Sequence, residues 1–243
     1  MMITLSNATF RVGAVEILQG VSFQLMPNSF YCLVGPNGSG KSTVLKLIMN
    51  ILEVDSGTID TISPIDISYL PQNLADPPFL TVSEVINVAI KQGSKDRNLI
   101  GQDLQYLAEQ FRLHHLLDRK CSDISAGEKQ RIWLAFAMAL KKDVIIMDES
   151  LSSIDRNSRE EFFKLLKTVS LDGKTLLLVT HDIEMAIAYA DKIIALENGK
   201  VVFDGPSTNY KDQIEQISTY FINSQGSNRE SSGSLTNQID SNI

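Results

Sequence analysis

Apolar residues near the start of the chain alternate with polar ones. Ile3-Thr4-Leu5-Ser6-Asn7-Ala8-Thr9-Phe10 predicts a first strand, and Ile17-Leu18 through Phe23-Gln24-Leu25 predicts another, with Gly20 as a turn point. Pro27-Asn28 breaks the chain. The pattern then changes from alternation to continuous runs: Phe30–Val34, Val144–Met147 and Leu176–Val179 are uninterrupted apolar stretches of strand length. Runs of that kind belong to strands buried on both faces, the signature of a parallel sheet covered by helices. Between them lie helical periods: Val44–Met49, a block from Thr81 to Arg119 with Leu104, Leu107, Ala108 and Phe111 in register, a stretch from Ser125 to Leu140, Arg156–Val169, and Ile183–Ala190. Asp55-Ser56-Gly57-Thr58 reads as a turn, Ile59–Ile67 as a short polar hairpin, and Ile67–Leu70 as a strand ended by Pro71 and Gln72. Ile193–Leu196 and Val201–Phe203 flank Asn198-Gly199, the preferred two-residue hairpin turn. A further helix is expected near Tyr210–Phe221.

The sum is an α/β domain over residues 1–223, with a helical segment of about 73–140 inserted into it. A polar tail, 224–243, is rich in Ser, Asn and Gln and reads as disordered. The chain of 243 residues, 43% hydrophobic, is long enough for one generous core. A formal net charge of −7 argues against nucleic acid as a partner. No stretch approaches the ~20 apolar residues of a membrane span. The N-terminus has no signal-peptide pattern. The two cysteines, Cys32 and Cys121, read as small buried apolar residues in a reducing compartment.

Chemistry is concentrated in Gly35-Pro36-Asn37-Gly38-Ser39-Gly40-Lys41-Ser42-Thr43, which fits G-x-x-x-x-G-K-[ST] throughout and lies between a buried strand and a helix. Such a loop presents backbone N–H groups to phosphate, Lys41 adds a point charge, and Ser42 offers a hydroxyl to Mg²⁺. The chain therefore binds a nucleoside triphosphate. Asp148-Glu149 follows a buried strand directly, at the edge where open α/β sheets hold ligands. Asp148 reads as a partner of Mg²⁺ and Glu149 as a water-orienting base. His181 stands past another core strand. Phe10 offers a face on which an adenine ring can stack, with packing in the sheet as the alternative. Thr81 with Glu84, and Ser125 with Glu128, are capping boxes. His114-His115 reads as a surface pair, because neighbours on a helix point apart and chelate poorly.

The P-loop, Gln72, Ile124-Ser125-Ala126-Gly127-Glu128, Asp148-Glu149, Asp155 and His181 stand in the order found in the nucleotide-binding subunit of an ABC transporter. The resemblance covers nearly all of the chain up to about Phe221. It implies a P-loop NTPase with a RecA-like α/β core, an N-terminal antiparallel β part and an inserted helical subdomain. It implies ATP hydrolysis with Mg²⁺. Phe10 resembles the adenine-stacking aromatic, Gln72 the glutamine that touches Mg²⁺ and the attacking water, and His181 the switch histidine at the γ-phosphate. Ser125 and Gly127 resemble the segment that closes over the opposite subunit's ATP, and Asp155 the dimer-contact aspartate. A homodimer or pseudo-dimer at the cytoplasmic face of the plasma membrane follows, with integral membrane permease subunits docked at Gln72–Phe79. The chain departs from the pattern in three places: Ala126 replaces a glycine, which weakens the site without abolishing it, Ser150 replaces a proline, which softens its loop, and the polar hairpin before Gln72 is short. The short hairpin region and the Ser-x-Gly-Glu form resemble zinc/manganese importers. Gly127-Glu128-Lys129 and Asp148-Glu149-Ser150 also resemble the soluble ATPase of iron–sulfur cluster assembly, although the Gln72 region fits it poorly. DNA-repair and ribosome-associated relatives are disfavoured by the single cassette and the acidic balance.

Overall fold

The computed structural model describes residues 2–72, 74, 77–94, 100–148 and 155–213. Two sheets share the structure. Strands β1 (Ile3–Val12), β2 (Val15–Leu25) and β4 (Ser56–Asp60) form an antiparallel sheet of order β2-β1-β4. Strands β3 (Phe30–Val34), β5 (Ile67–Leu70), β6 (Val144–Asp148), β7 (Thr175–Val179), β8 (Lys192–Glu197) and β9 (Lys200–Pro206) form the second, of order β5-β6-β7-β3-β8-β9. Every pairing in it is parallel except the β8–β9 hairpin.

The continuous apolar runs are explained by what lies on each side of this sheet. Tyr31, Leu33, Ile146, Leu177, Val179 and Ile194 face one core, shared with β1, β2 and helix α1 (Lys41–Ile48). Phe30, Cys32, Val34, Ile145, Leu176 and Leu178 face the other. That second core is covered by α2 (Val82–Gly93), α3 (Ile100–Gln110), α4 (Ala126–Ala139), α5 (Arg156–Leu171) and α6 (Ile183–Tyr189). The period of two is present but both phases are apolar, so it disappears from the sequence. All five residues of β3 are buried, and β3 lies between β7 and β8.

Three expectations are corrected. Residues 59–67 do not form a hairpin: β4 pairs with β1, with Leu5 opposite Ile59, and the chain crosses through a 3-10 turn at Pro64–Asp66 to the other sheet. Gly20 is not a turn point but lies within β2, whose pairing shifts register between Ala8–Val21 and Phe10–Leu18. A glycine at φ +73 absorbs that bulge. The helical block from Thr81 to Arg119 divides into α2, α3 and a 3-10 turn at His114–Leu116. Both capping boxes form as read, at Thr81–Glu84 and Ser125–Glu128.

The Asn198-Gly199 turn forms with φ +48 and +75, as a type I′ turn requires. The Gly199 amide donates to Ser39 O at 3.2 Å, and its carbonyl accepts from the Gln19 amide at 2.8 Å. Helix begins at 207, ahead of the expected start at Tyr210. The remainder of that helix and the tail lie outside the described residues. No described helix is long and apolar enough to cross a membrane.

Candidate functional site

The loop between β3 and α1 wraps one end of a cavity of about 330 Å³. Its lining includes Asn37, Gly38, Gly40, Lys41, Ser42 and Thr43 from the loop, and Gln72, Asp148 and His181 from the ends of β5, β6 and β7. All of these lie at the carboxyl edge of the parallel sheet, where ligands of such sheets bind. Two glycines have no substitute. A Cβ on Gly35, φ +146, would lie 2.0 Å from Leu196 O, and one on Gly40, φ +106, would lie 2.6 Å from Leu18 Cδ2. Gly40 is the N-cap of α1 and no side chain caps that helix. The amides of its first turn therefore point toward the cavity mouth with the positive end of the helix dipole. Ser39 is buried and its hydroxyl has no protein partner. The loop is thus a cradle of donors with an orphaned polar atom inside it, which suits a polyphosphate.

The Lys41 ammonium donates to Gly35 O at 2.9 Å and Pro36 O at 2.8 Å. Burial lowers its pKa, and the Asp148 carboxylate opposes that shift. Burial pushes the Asp148 carboxyl above its ordinary value, opposed by a hydrogen bond from Ser42 and by the charges of Lys41 and Lys46. Burial, and then the Asp148 charge, push the Tyr69 hydroxyl above its ordinary value. Ser42, Asp148 and Gln72 present hydroxyl, carboxylate and amide oxygens around one wall. A hard cation such as Mg²⁺ takes oxygen ligands of this kind and keeps further positions for phosphate and water. Among the described residues no cluster of three or more His, Cys, Asp or Glu side chains could cage a metal alone. The donor set fits Mg²⁺ held jointly with a nucleotide.

The other expected site residues lie apart from this cavity. Ser125 caps α4, with its hydroxyl 2.5 Å from Glu128 Oε2, and Gly127 sits in the first turn of that helix. Asp155 caps α5 and accepts from the Ser158 amide at 3.0 Å. Its carboxyl is held below its ordinary value chiefly by the Ser158 hydroxyl. Neither segment contributes to the lining given by the described residues. Phe10, opposite Leu18 on β1, is half-buried against the N-terminal core, and it too is absent from that lining. Ile17 and Val179 do line it and were not singled out from sequence. The strand reading placed Ile17 correctly, but which β2 side chain faces the P-loop depends on the bulge at Gly20. Glu149 and Ser150 lie outside the described residues.

Next to His181, two ion pairs join the first turns of α5 and α6: Arg159 Nη1 to Asp182 at 2.8 Å and Arg156 Nη2 to Glu184 at 2.5 Å. Asp182 also caps α6 by accepting from the Met185 amide at 3.0 Å.

The model of a family described as ABC transporter matches residues 18–152. A zinc uptake system ATP-binding protein, ZurA, of Listeria monocytogenes is 30% identical over 235 residues, covering 88% of this chain and 89% of the relative. A zinc import ATP-binding protein, ZnuC, of Psychrobacter arcticus is 29% identical over 196 residues, covering 80% and 79%. Among solved structures, cbiO1 of Clostridium perfringens, part of the ABC transporter complex cbiONQ, superposes with a TM-score of 0.79. It is 22% identical and covers 89% of this chain and 93% of its own. A dimeric ATP-binding cassette in a post-hydrolysis state with ADP and Pi superposes with a TM-score of 0.71 at 26% identity, over 84% of this chain and 98% of its own.

Proposed function

The chain belongs to the ABC transporter family as one of its ATP-binding, ATP-hydrolysing cassettes, and from that membership we propose that it powers import of a divalent metal ion, zinc foremost, through separate membrane-spanning subunits. The observation that carries the reading is the similarity, over about four fifths or more of each chain, to two zinc-uptake ATP-binding proteins. The iron–sulfur assembly alternative gains nothing from these relatives.

ATP lies with its phosphates on the amides of residues 35–43 and the Lys41 ammonium, and its base toward Ile17 and Phe10. Ser42, Asp148 and Gln72 would hold Mg²⁺, which would supply neutralisation of phosphate charge. Glu149 accepts a proton from water as the water oxygen bonds the γ-phosphorus. The bond from that phosphorus to the β–γ bridging oxygen breaks, and its electrons leave with ADP. His181 holds the γ-phosphate oxygens. Ser125 and Gly127 lie outside the cavity lining given by the described residues; a second cassette supplies them, with Asp155 at the contact. The assembly sits peripherally at the cytoplasmic face of the membrane. Phe79, 85% exposed, is the apolar contact for the permease.

The test is affinity capture of the tagged chain from detergent-solubilised membranes, with mass spectrometry of what is retained. A multi-span protein is expected, lost in Phe79→Asp while ATP binding persists. Recovery of soluble partners only, under conditions that preserve a control transporter, overturns the transporter reading.

A further inference from the structure

The two histidines read from sequence as a surface pair are both exposed, yet each meets a glutamate. His114 Nε2 lies 3.0 Å from Glu109. His115 Nε2 lies 3.6 Å from Glu128 Oε1. The other oxygen of that same carboxylate, Oε2, accepts from the Ser125 amide at 3.1 Å and the Ser125 hydroxyl at 2.5 Å, and the Glu128 amide returns a bond to Ser125 Oγ at 3.4 Å. One carboxylate is therefore hydrogen-bonded at Oε2 by its own helix cap and faced at Oε1, at ion-pair distance, by an imidazole from a different element. The side chain of Glu128 is 22% exposed and that of His115 62%.

A capping box alone fixes one carboxylate oxygen and leaves the other to rotate with the glutamate side chain. An ion-pairing partner beside the second oxygen biases the plane of the group, and with it the direction from which Ser125 Oγ is held. The same carboxylate places a negative charge at the N-terminus of α4, the end to which a phosphate is drawn. His115, with Arg131 on the same helix, faces that charge. We propose that His115 is a positioning residue for ATP hydrolysis: by holding Glu128 Oε1 it orients the Ser125 hydroxyl and draws the carboxylate away from the arriving γ-phosphate. This rests on the reading of Ser125 as the residue that covers the second cassette's nucleotide. His115 touches no substrate itself.

The experiment compares steady-state ATP hydrolysis and ADP binding of the full-length chain as wild type, His115→Ala, His115→Gln, Glu128→Gln, His115→Ala/Glu128→Gln and Ser125→Ala. An exposed pair of this kind is worth little, so kcat is expected to fall about threefold in His115→Ala. ADP affinity, set by the chain's own P-loop, stays unchanged. Glutamine, whose amide nitrogen falls near the position of the histidine Nε2, restores turnover. In the Glu128→Gln background the His115→Ala change has no further effect. A wild-type kcat in His115→Ala beside a large loss in Ser125→Ala overturns the role of His115 and leaves the site reading standing. A loss that persists undiminished in the Glu128→Gln background overturns it also. Full activity in Ser125→Ala overturns the underlying reading itself.

Discussion

Replacing Gly35 by Ala tests how rigidly the sheet holds the phosphate loop. The added Cβ would lie 2.0 Å from the carbonyl oxygen of Leu196, 3.1 Å from its carbon and 3.0 Å from Ser39 Oγ. Non-bonded contacts of that type do not form below about 3 Å, so loop and strand must separate by roughly 1 Å. Leu196 is 1% exposed and pairs with Val201. Its neighbour Ala195 pairs with Val34, the last residue of β3. The strand cannot yield without loosening the sheet end, and the loop cannot yield without turning its amides from the cavity. Overpacking of this kind costs about 1–3 kcal/mol, and a non-glycine residue at φ +146 about 1–3 kcal/mol more. A total of about 2–6 kcal/mol at about 2–4 °C per kcal/mol lowers Tm by roughly 12 °C in the middle of the range. ATP affinity is expected to fall at least about tenfold, since 1.4 kcal/mol lost from the loop's own contacts suffices. Gly38→Ala is the control: φ is +79 but nothing lies within 4 Å of the new Cβ, so only backbone strain remains. Thermal unfolding and titration with a fluorescent ATP analogue read both quantities. A Gly35→Ala protein that melts within about 2 °C of wild type with unaltered affinity, or a Gly38→Ala protein equally damaged, refutes the reasoning.

Two further outcomes follow from the site's electrostatics. Because burial raises the Asp148 pKa above the model-compound value of 3.8, its charged form costs folding energy at neutral pH. Asp148→Asn should therefore raise Tm at pH 7 while abolishing Mg²⁺-dependent hydrolysis. The Tm difference should shrink as pH falls and vanish below 3.8, where the carboxyl is protonated in both folded and unfolded chains; a Tm that drops at pH 7 would contradict it. Asp182→Asn keeps a good helix cap on α6 but removes the ion pair to Arg159, whose side chains are 14% and 29% exposed. We expect a stability loss of about 1–2 kcal/mol by denaturant titration and a lower kcat with ADP affinity preserved, because the pair fixes the segment bearing His181; unchanged turnover would show that the pair is structural only.

The loop and sheet-edge residues that line the cavity were legible because each signal is local. A glycine-rich loop between an apolar run and a helix has one geometry, and the acid that ends β6 and the histidine after β7 line the same cavity at the sheet edge. The capping boxes at Thr81 and Ser125 were legible for the same reason, as each needs only four residues. What stayed hidden is long-range pairing. β4 joins β1 across more than 40 residues with few apolar positions, Ile59 being the one inside its span, so its polar sequence read as a hairpin with its neighbour. Gly20 read as a turn because a glycine in a strand pattern signals either a turn or a bulge, and only the register against β1 decides. Ile17 was missed at the site because that same bulge sets which face of β2 it occupies. His115 was read correctly as exposed. Its glutamate partner lies 13 residues away on another element, which no helical spacing reveals.

The turn at Asn198-Gly199 bears on how this protein can be altered. By position it is an ordinary surface hairpin tip, the kind of place where an insertion, a tag or new termini are usually tolerated. Its backbone nevertheless spans two sheets, reaching Ser39 in the phosphate loop and Gln19 in β2. A Cβ on Gly199 would lie 2.4 Å from Ile17 O. Lengthening this tip would release the antiparallel sheet from the phosphate loop at the side where Ile17 lines the cavity. Among relatives of this chain, length variation should thus collect at the β1–β2 hairpin tip, whose residues Val12 and Val15 are 61% and 62% exposed, and spare the equally superficial turn between β8 and β9.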